Sequence, residues 1–186
     1  MALGLLLFVG SGTLGGCKTA APPVLGEVPT FQLVSESGEP FDSSSLKGRP
    51  WLASFLFTSC PGPCPRLVEK LKSVRSTIPA SQLAFVSISV DPENDTPSVL
   101  TQYKTARGIL EGDGWTFLTG STETVMNLVR KGFLTGVEKS ENPTAEGSVT
   151  HGVRVVLVDG ERRIRGFYAT DRDEDMSRLR TDVGAL

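Results

Sequence analysis

The chain has 186 residues, 39% of them hydrophobic and 22% charged, values of an ordinary globular protein that argue against general disorder. Nineteen Lys and Arg nearly balance 21 Asp and Glu for a net charge of −2, so the broad basic footprint of a nucleic-acid binder is absent. The length suits one packed domain behind a leader.

At the amino end, residues 2–10 form a short apolar run followed by small residues and Leu14-Gly15-Gly16-Cys17. The run is shorter than the roughly 20 apolar residues of a membrane-spanning helix, and no Lys or Arg precedes it. It resembles a bacterial lipoprotein signal with its lipobox. That resemblance implies a signal segment over 1–17, Cys17 as the lipidated mature N-terminus, and export to the bacterial cell envelope with a lipid anchor in a membrane. The alternative is a conventional signal peptide that discards Cys17. Residues 18–29, with Ala20-Ala21-Pro22-Pro23 at their centre, read as a Pro/Ala-rich tether. The folded domain is expected over 30–186.

Residues 31–34 and the stretch around Phe41 flank Ser37-Gly38-Glu39, a hairpin pattern. Residues 46–50 turn into a strand over 51–57 that is almost continuously apolar, as a buried central strand should be. This strand delivers Thr58-Ser59-Cys60-Pro61-Gly62-Pro63-Cys64-Pro65 at its carboxyl end, where α/β sheets place their sites. Cys60, Gly62 and Cys64 each precede a proline and are biased toward extended backbone. A helix is therefore expected to start at Pro65 and to show Leu67, Leu71, Val74 and Ile78 on one face. Cys64 would then sit near the N-cap, where the helix dipole favours a thiolate. Both thiols look exposed in this loop, a poor arrangement for a purely structural staple.

A second buried strand over 83–90 stops at Asp91-Pro92, where Asp91 is expected to end the strand and cap the turn rather than bind metal. Thr96 as N-cap and Pro97 open a helix with Val99, Leu100, Tyr103 and Ala106 on its apolar side. A short strand follows over 115–118. Ser121 starts a further helix with Glu123 in its first turn and Val125, Leu128, Val129 and Phe133 on one side. Residues 153–158 and 163–168 read as an antiparallel hairpin about Asp159-Gly160, with Arg162, Arg163 and Arg165 on a solvated face. Residues 171–183 form a terminal helix, acidic at its start. The order predicts an α/β fold, a thioredoxin-like three-layer sandwich with a central mixed sheet and an N-terminal hairpin.

Two close thiols, Cys60 and Cys64, and the only histidine, His151, make a soft donor set suited to Cu(I). The same thiols could cycle between dithiol and disulfide. A closed Cys₄ or Cys₂His₂ zinc site cannot be built from them.

The cysteine loop, the run Val86-Ser87-Ile88-Ser89-Val90-Asp91-Pro92-Glu93-Asn94-Asp95-Thr96-Pro97, and His151 ahead of an apolar strand together resemble the Sco/SenC family of copper proteins that assist cytochrome c oxidase assembly. The similarity spans roughly residues 30–168. It implies that Cys60, Cys64 and His151 are copper ligands. It also implies as partners the copper-site subunit of the oxidase and an upstream copper donor or thiol reductant. Thr150 stands where the family usually has an aspartate before the histidine, and Gly62-Pro63 lacks the acidic residue often found inside the loop. Two functions stay open: a copper metallochaperone that turns over no substrate, and a membrane-tethered thiol:disulfide reductase using Cys60 and Cys64. The gap of three residues between the cysteines differs from the C-x-x-C of thioredoxin-type oxidoreductases. A thiol peroxidase and a purely structural domain are the weaker readings.

Overall fold

A computed structural model describes residues 20–134 and 154–186. Its strands are β1 (Gly26–Glu27), β2 (Gln32–Ser35), β3 (Pro40–Asp42), β4 (Trp51–Leu56), β5 (Ala84–Ser89), β6 (Trp115–Thr119), β7 (Arg154–Val158) and β8 (Arg163–Ala169). The α-helices are α1 (Pro63–Arg75), α2 (Pro97–Ala106), α3 (Thr122–Asn127) and α4 (Asp173–Gly184), and α3 runs on into a π-turn over Leu128–Gly132. One sheet of eight strands takes the order β1-β8-β7-β4-β5-β6-β2-β3. Its centre, β4-β5-β6, is parallel, and every other neighbour is antiparallel.

The pleat divides β4 between two cores. Leu52 and Leu56 face α1, α2 and α4, which contribute Leu67, Leu71, Leu100, Met176 and Leu179. Trp51 and Ala53 face the other layer, built from Val125, Leu128, Val129 and Phe133 of α3 and its extension. Phe133 meets Trp51 and Phe55 edge-on at ring separations of 5.7 and 5.1 Å, a geometry that favours aromatic pairs beyond their area burial. Both faces of the sheet are thus covered, which is why β4 and β5 read as unbroken apolar runs. The polar exceptions pair with each other: the Trp115 indole N–H donates to Ser87 Oγ at 2.8 Å, and Ser87 shares a 2.8 Å bond with Ser54 Oγ.

The three-layer α/β class, the early hairpin β2-β3, the caps at Thr96 and Ser121 and the late hairpin β7-β8 agree with the sequence reading. Three features differ. The domain begins before Thr30: Gly26 and Glu27 pair with Ile164 and Arg163 of β8, and Val28 is fully buried. A two-residue strand is too short to show a periodicity, so this part of the expected tether carried no signal. Helix α1 begins at Pro63 rather than Pro65, with Gly62 as N-cap. First-turn N–H groups have no intrahelical partner, so prolines at its first and third positions cost nothing, and Cys64 between them is helical. Finally, Arg165 lies on no solvated face. It is 9% exposed and donates to Asp159 Oδ2 at 3.0 Å, while Arg163 bonds the same oxygen at 2.7 Å.

Candidate metal centre at the dithiol loop

Strand β4 ends at Leu56, and its continuation reaches Cys60 in four residues. The Cys60 N–H donates to the Phe57 carbonyl at 3.3 Å, which folds the loop back over the strand end. The Cys64 N–H, one of the unpaired donors of the first turn of α1, donates to Cys60 Sγ at 3.4 Å. The Cys60 sulfur thus caps the helix, and the two side chains converge at the carboxyl end of the parallel strands. No disulfide joins them: both are free thiols and both are buried, Cys60 at 8% and Cys64 at 5% exposure.

Burial overturns the expected exposed, thiolate-favouring environment. It pushes the Cys64 thiol up to about 12, helped by the hydrogen bond to Cys60, and a backbone hydrogen bond with Phe57 opposes the rise without reversing it. A helix dipole contributes about 0.3–1 kcal/mol, at most about 2, whereas full burial moves a pKa by up to about 3–5 units, each worth about 1.4 kcal/mol. The larger effect wins, and Cys64 rests as the neutral thiol.

The loop is fastened to the neighbouring strand end by a carboxylate that stands out in the sequence only as part of a motif. Asp95, 1% exposed, accepts the Thr58 hydroxyl at 2.5 Å, the Thr58 N–H at 3.1 Å and the Ser89 hydroxyl at 2.5 Å. Asp91 caps the intervening turn as expected: its carbonyl accepts the N–H groups of Asn94 and Asp95, and its carboxylate accepts the Asn94 amide at 3.0 Å. Tyr103 of α2 belongs to the same buried cluster as the two cysteines. Its hydroxyl is buried with no hydrogen-bond partner among the described residues, and burial pushes its pKa up. A sequence marks Tyr103 only as one apolar-face residue among several.

His151 and Cys17 lie outside the described residues. Strand β7 starts at Arg154, three residues after His151. It runs antiparallel to β4 with Val155 opposite Ser54, so its first residues lie at the sheet end that carries the cysteine loop. Among the described residues no group of three or more His, Cys, Asp and Glu could hold a metal ion. The two converging thiols in the buried apolar cluster are a soft donor pair, which fits copper and does not fit hard cations that demand oxygen ligands. A cleft of about 270 Å³ lies at the opposite end of β4, lined among others by Gly48, Pro50, Asp159 and Arg165. Its charged groups already pair with one another.

A thioredoxin-like α/β fold with a buried dithiol where the central strand turns into its helix defines a thiol-based metal or redox protein. The SCO1/SenC family model matches residues 21–182, and the chain belongs to that family. It is 32% identical over 166 residues to the SCO1 protein homolog of Bacillus subtilis, covering 88% of this chain and 83% of that one. The structure of BsSco, a member of the Sco family of cytochrome c oxidase assembly proteins, superposes with a TM-score of 0.71 at 29% identity, covering 90% of this chain and 99% of that one. A SCO1/SenC family lipoprotein from Bacillus anthracis gives 0.66 at 30% identity, with 87% and 99% covered. Copper-bound ScoI of Bradyrhizobium japonicum gives 0.61 at 26% identity, with 83% and 98% covered.

Proposed function

We propose that this chain is a copper metallochaperone, in which Cys60, Cys64 and His151 bind copper and pass it to the copper-site subunit of cytochrome c oxidase. The observation that carries the reading is the pair of free, buried thiols meeting at the start of α1. The bound copper of a family neighbour, ScoI, supports it. So does the start of β7, three residues after His151, beside the strand that bears the loop. Copper, when bound, supplies a thiophilic centre with low coordination demand. The chain's own residues set the two sulfurs at one helix end, bury them from water and give up the Cys64 proton as the metal enters. We further propose that Cys17 is acylated and anchors the domain to a membrane. The lipobox-like Leu14 to Cys17 supports this, as does the lipoprotein among the family neighbours. In an oxidising compartment the thiols would pair, so an upstream copper donor or thiol reductant must keep the loop loadable.

The thiol:disulfide reductase is the competing reading, and His151 separates the two. The reduced protein is loaded with Cu(I) and its stoichiometry and affinity are measured with and without His151→Ala. The chaperone reading expects much weaker copper binding with an intact ability to form the Cys60–Cys64 disulfide. Full copper affinity in the variant would remove His151 from the ligand set. A wild-type protein that binds no copper yet reduces partner disulfides, unaffected by His151→Ala, would replace the chaperone with the reductase.

A further inference from the structure

We infer that Asp95 is the positioning residue of the dithiol loop, fixing the Cys60–Cys64 geometry through its hydrogen bonds to Thr58. Both oxygens are in use. Oδ1 accepts the Thr58 hydroxyl at 2.5 Å, and Oδ2 accepts the Thr58 N–H at 3.1 Å and the Ser89 hydroxyl at 2.5 Å. Thr58 stands two residues before Cys60 on the stretch that leaves β4, and Ser89 is the last residue of β5. The carboxylate therefore joins the ends of the two central parallel strands at the point where the site loop departs.

Asp95 is itself held from behind. Its N–H donates to the Asp91 carbonyl at 2.9 Å, and the next residue, Thr96, caps α2. Its three partners are all donors, and a carboxylate is the side chain that only accepts. Asparagine would turn an NH₂ toward one of those donors. A buried carboxylate without a cation is costly, and among the described residues Asp95 has no ion-pair partner. Three donors from the ends of two strands converge on this one side chain and make a rigid, strongly hydrogen-bonded seat under the loop.

The inference rests on the copper reading for one of its two readouts and is independent of it for the other. The first is Cu(I) affinity of the reduced full chain, measured by competition with a colorimetric Cu(I) chelator. The second is the dithiol–disulfide equilibrium of Cys60 and Cys64 in glutathione buffers, read by mass spectrometry of the peptide that carries both. In that exchange the two thiols lose two electrons and two protons to glutathione disulfide, which becomes two glutathione thiols. Residues that orient metal ligands from behind are typically worth about 10–100-fold in metal affinity. Asp95→Asn is expected to weaken Cu(I) binding by that factor and to shift the glutathione equilibrium about tenfold or more. Thr58→Val, which keeps the N–H and loses the hydroxyl, should move both in the same direction by less. Thr58→Ser, which keeps both donors, should stay within about twofold of the parent protein. A merely structural Asp95 would lower the melting temperature and leave both readouts within twofold, which overturns the inference. If Asp95→Asn fails to fold, Thr58→Val decides by the same criterion. If the parent protein binds no Cu(I), the chaperone reading falls, and Asp95 stands or falls on the glutathione equilibrium alone.

Discussion

Replacing Cys64 by Ser should remove no thiolate signal at any pH below about 10.5, because burial pushes this thiol up to about 12 from an ordinary 9.0. The rise of about three units corresponds to about 4 kcal/mol against ionisation. At pH 7 the thiolate share of Cys64 is then about a thousandfold smaller than that of an ordinary cysteine. The assay is absorbance of the reduced, metal-free protein near 240 nm through pH 6–10.5, subtracting the Cys64→Ser variant from its parent so that other thiols and tyrosines cancel. A flat difference is expected. A titration step centred at or below pH 9 would refute the reasoning and restore the helix N-terminus as the dominant influence. The same burial makes the reduced domain sensitive to alkali. Below pH 9 the thiol is protonated whether the chain is folded or not, and its full contribution is present. Between 9 and 12 only the unfolded chain ionises, so stability should fall by up to about 4 kcal/mol as pH rises through this window.

Ser87→Ala strands both the Trp115 indole N–H and the Ser54 hydroxyl and should cost about 2–4 kcal/mol, whereas Ser54→Ala leaves the indole bond in place and should cost about 1. Urea denaturation tests this, and equal costs would break the proposed hierarchy. Although burial raises the Asp159 carboxyl, hydrogen bonds from the Arg163 backbone and side chain and the Glu161 N–H bring it below its ordinary value. That stabilisation is present above about pH 4 and lost as pH falls through the lowered pKa. Asp159→Asn, which leaves the buried Arg165 without its anion, should therefore cost about 3–5 kcal/mol at pH 7 and progressively less as pH falls through the lowered pKa, again by urea denaturation. Mass spectrometry of protein taken from its native membrane should find Cys17 as an acylated N-terminus, and full-length chain starting at Met1 in the cytosol would refute the anchor.

Elements with a full period of pattern were legible in the sequence. Strands β4 and β5 announce themselves as apolar runs because both faces are covered, and α2 and α3 are bracketed by Thr96 and Ser121, whose hydroxyls accept N–H groups of the first turn. What escaped depended on three dimensions. The start of α1 is hidden from the sequence because the bias of Cys64 before Pro65 toward extended backbone yields to a first turn that tolerates proline. The protonation preference of Cys64 is hidden from the sequence because the thiol lies in a buried cluster that includes Leu100, Tyr103 and Met176, residues remote from it in the chain. Asp95 could be quoted within a motif but not assigned a task, since its partner Thr58 is 37 residues away. The paired cysteines were visible because four residues of spacing keep them together in any fold.

That 37-residue separation also orders events along the folding path. The cysteines are close from the moment they are made, but the seat beneath them exists only after β4 and β5 have aligned in parallel with α1 packed across, a non-local pairing of the kind that forms late. A metallo-domain whose ligands create its fold is assembled by its metal. Here the fastening under the loop uses Thr58, Ser89 and Asp95 and neither sulfur, so forming it requires the two strands to align whatever the state of the thiols.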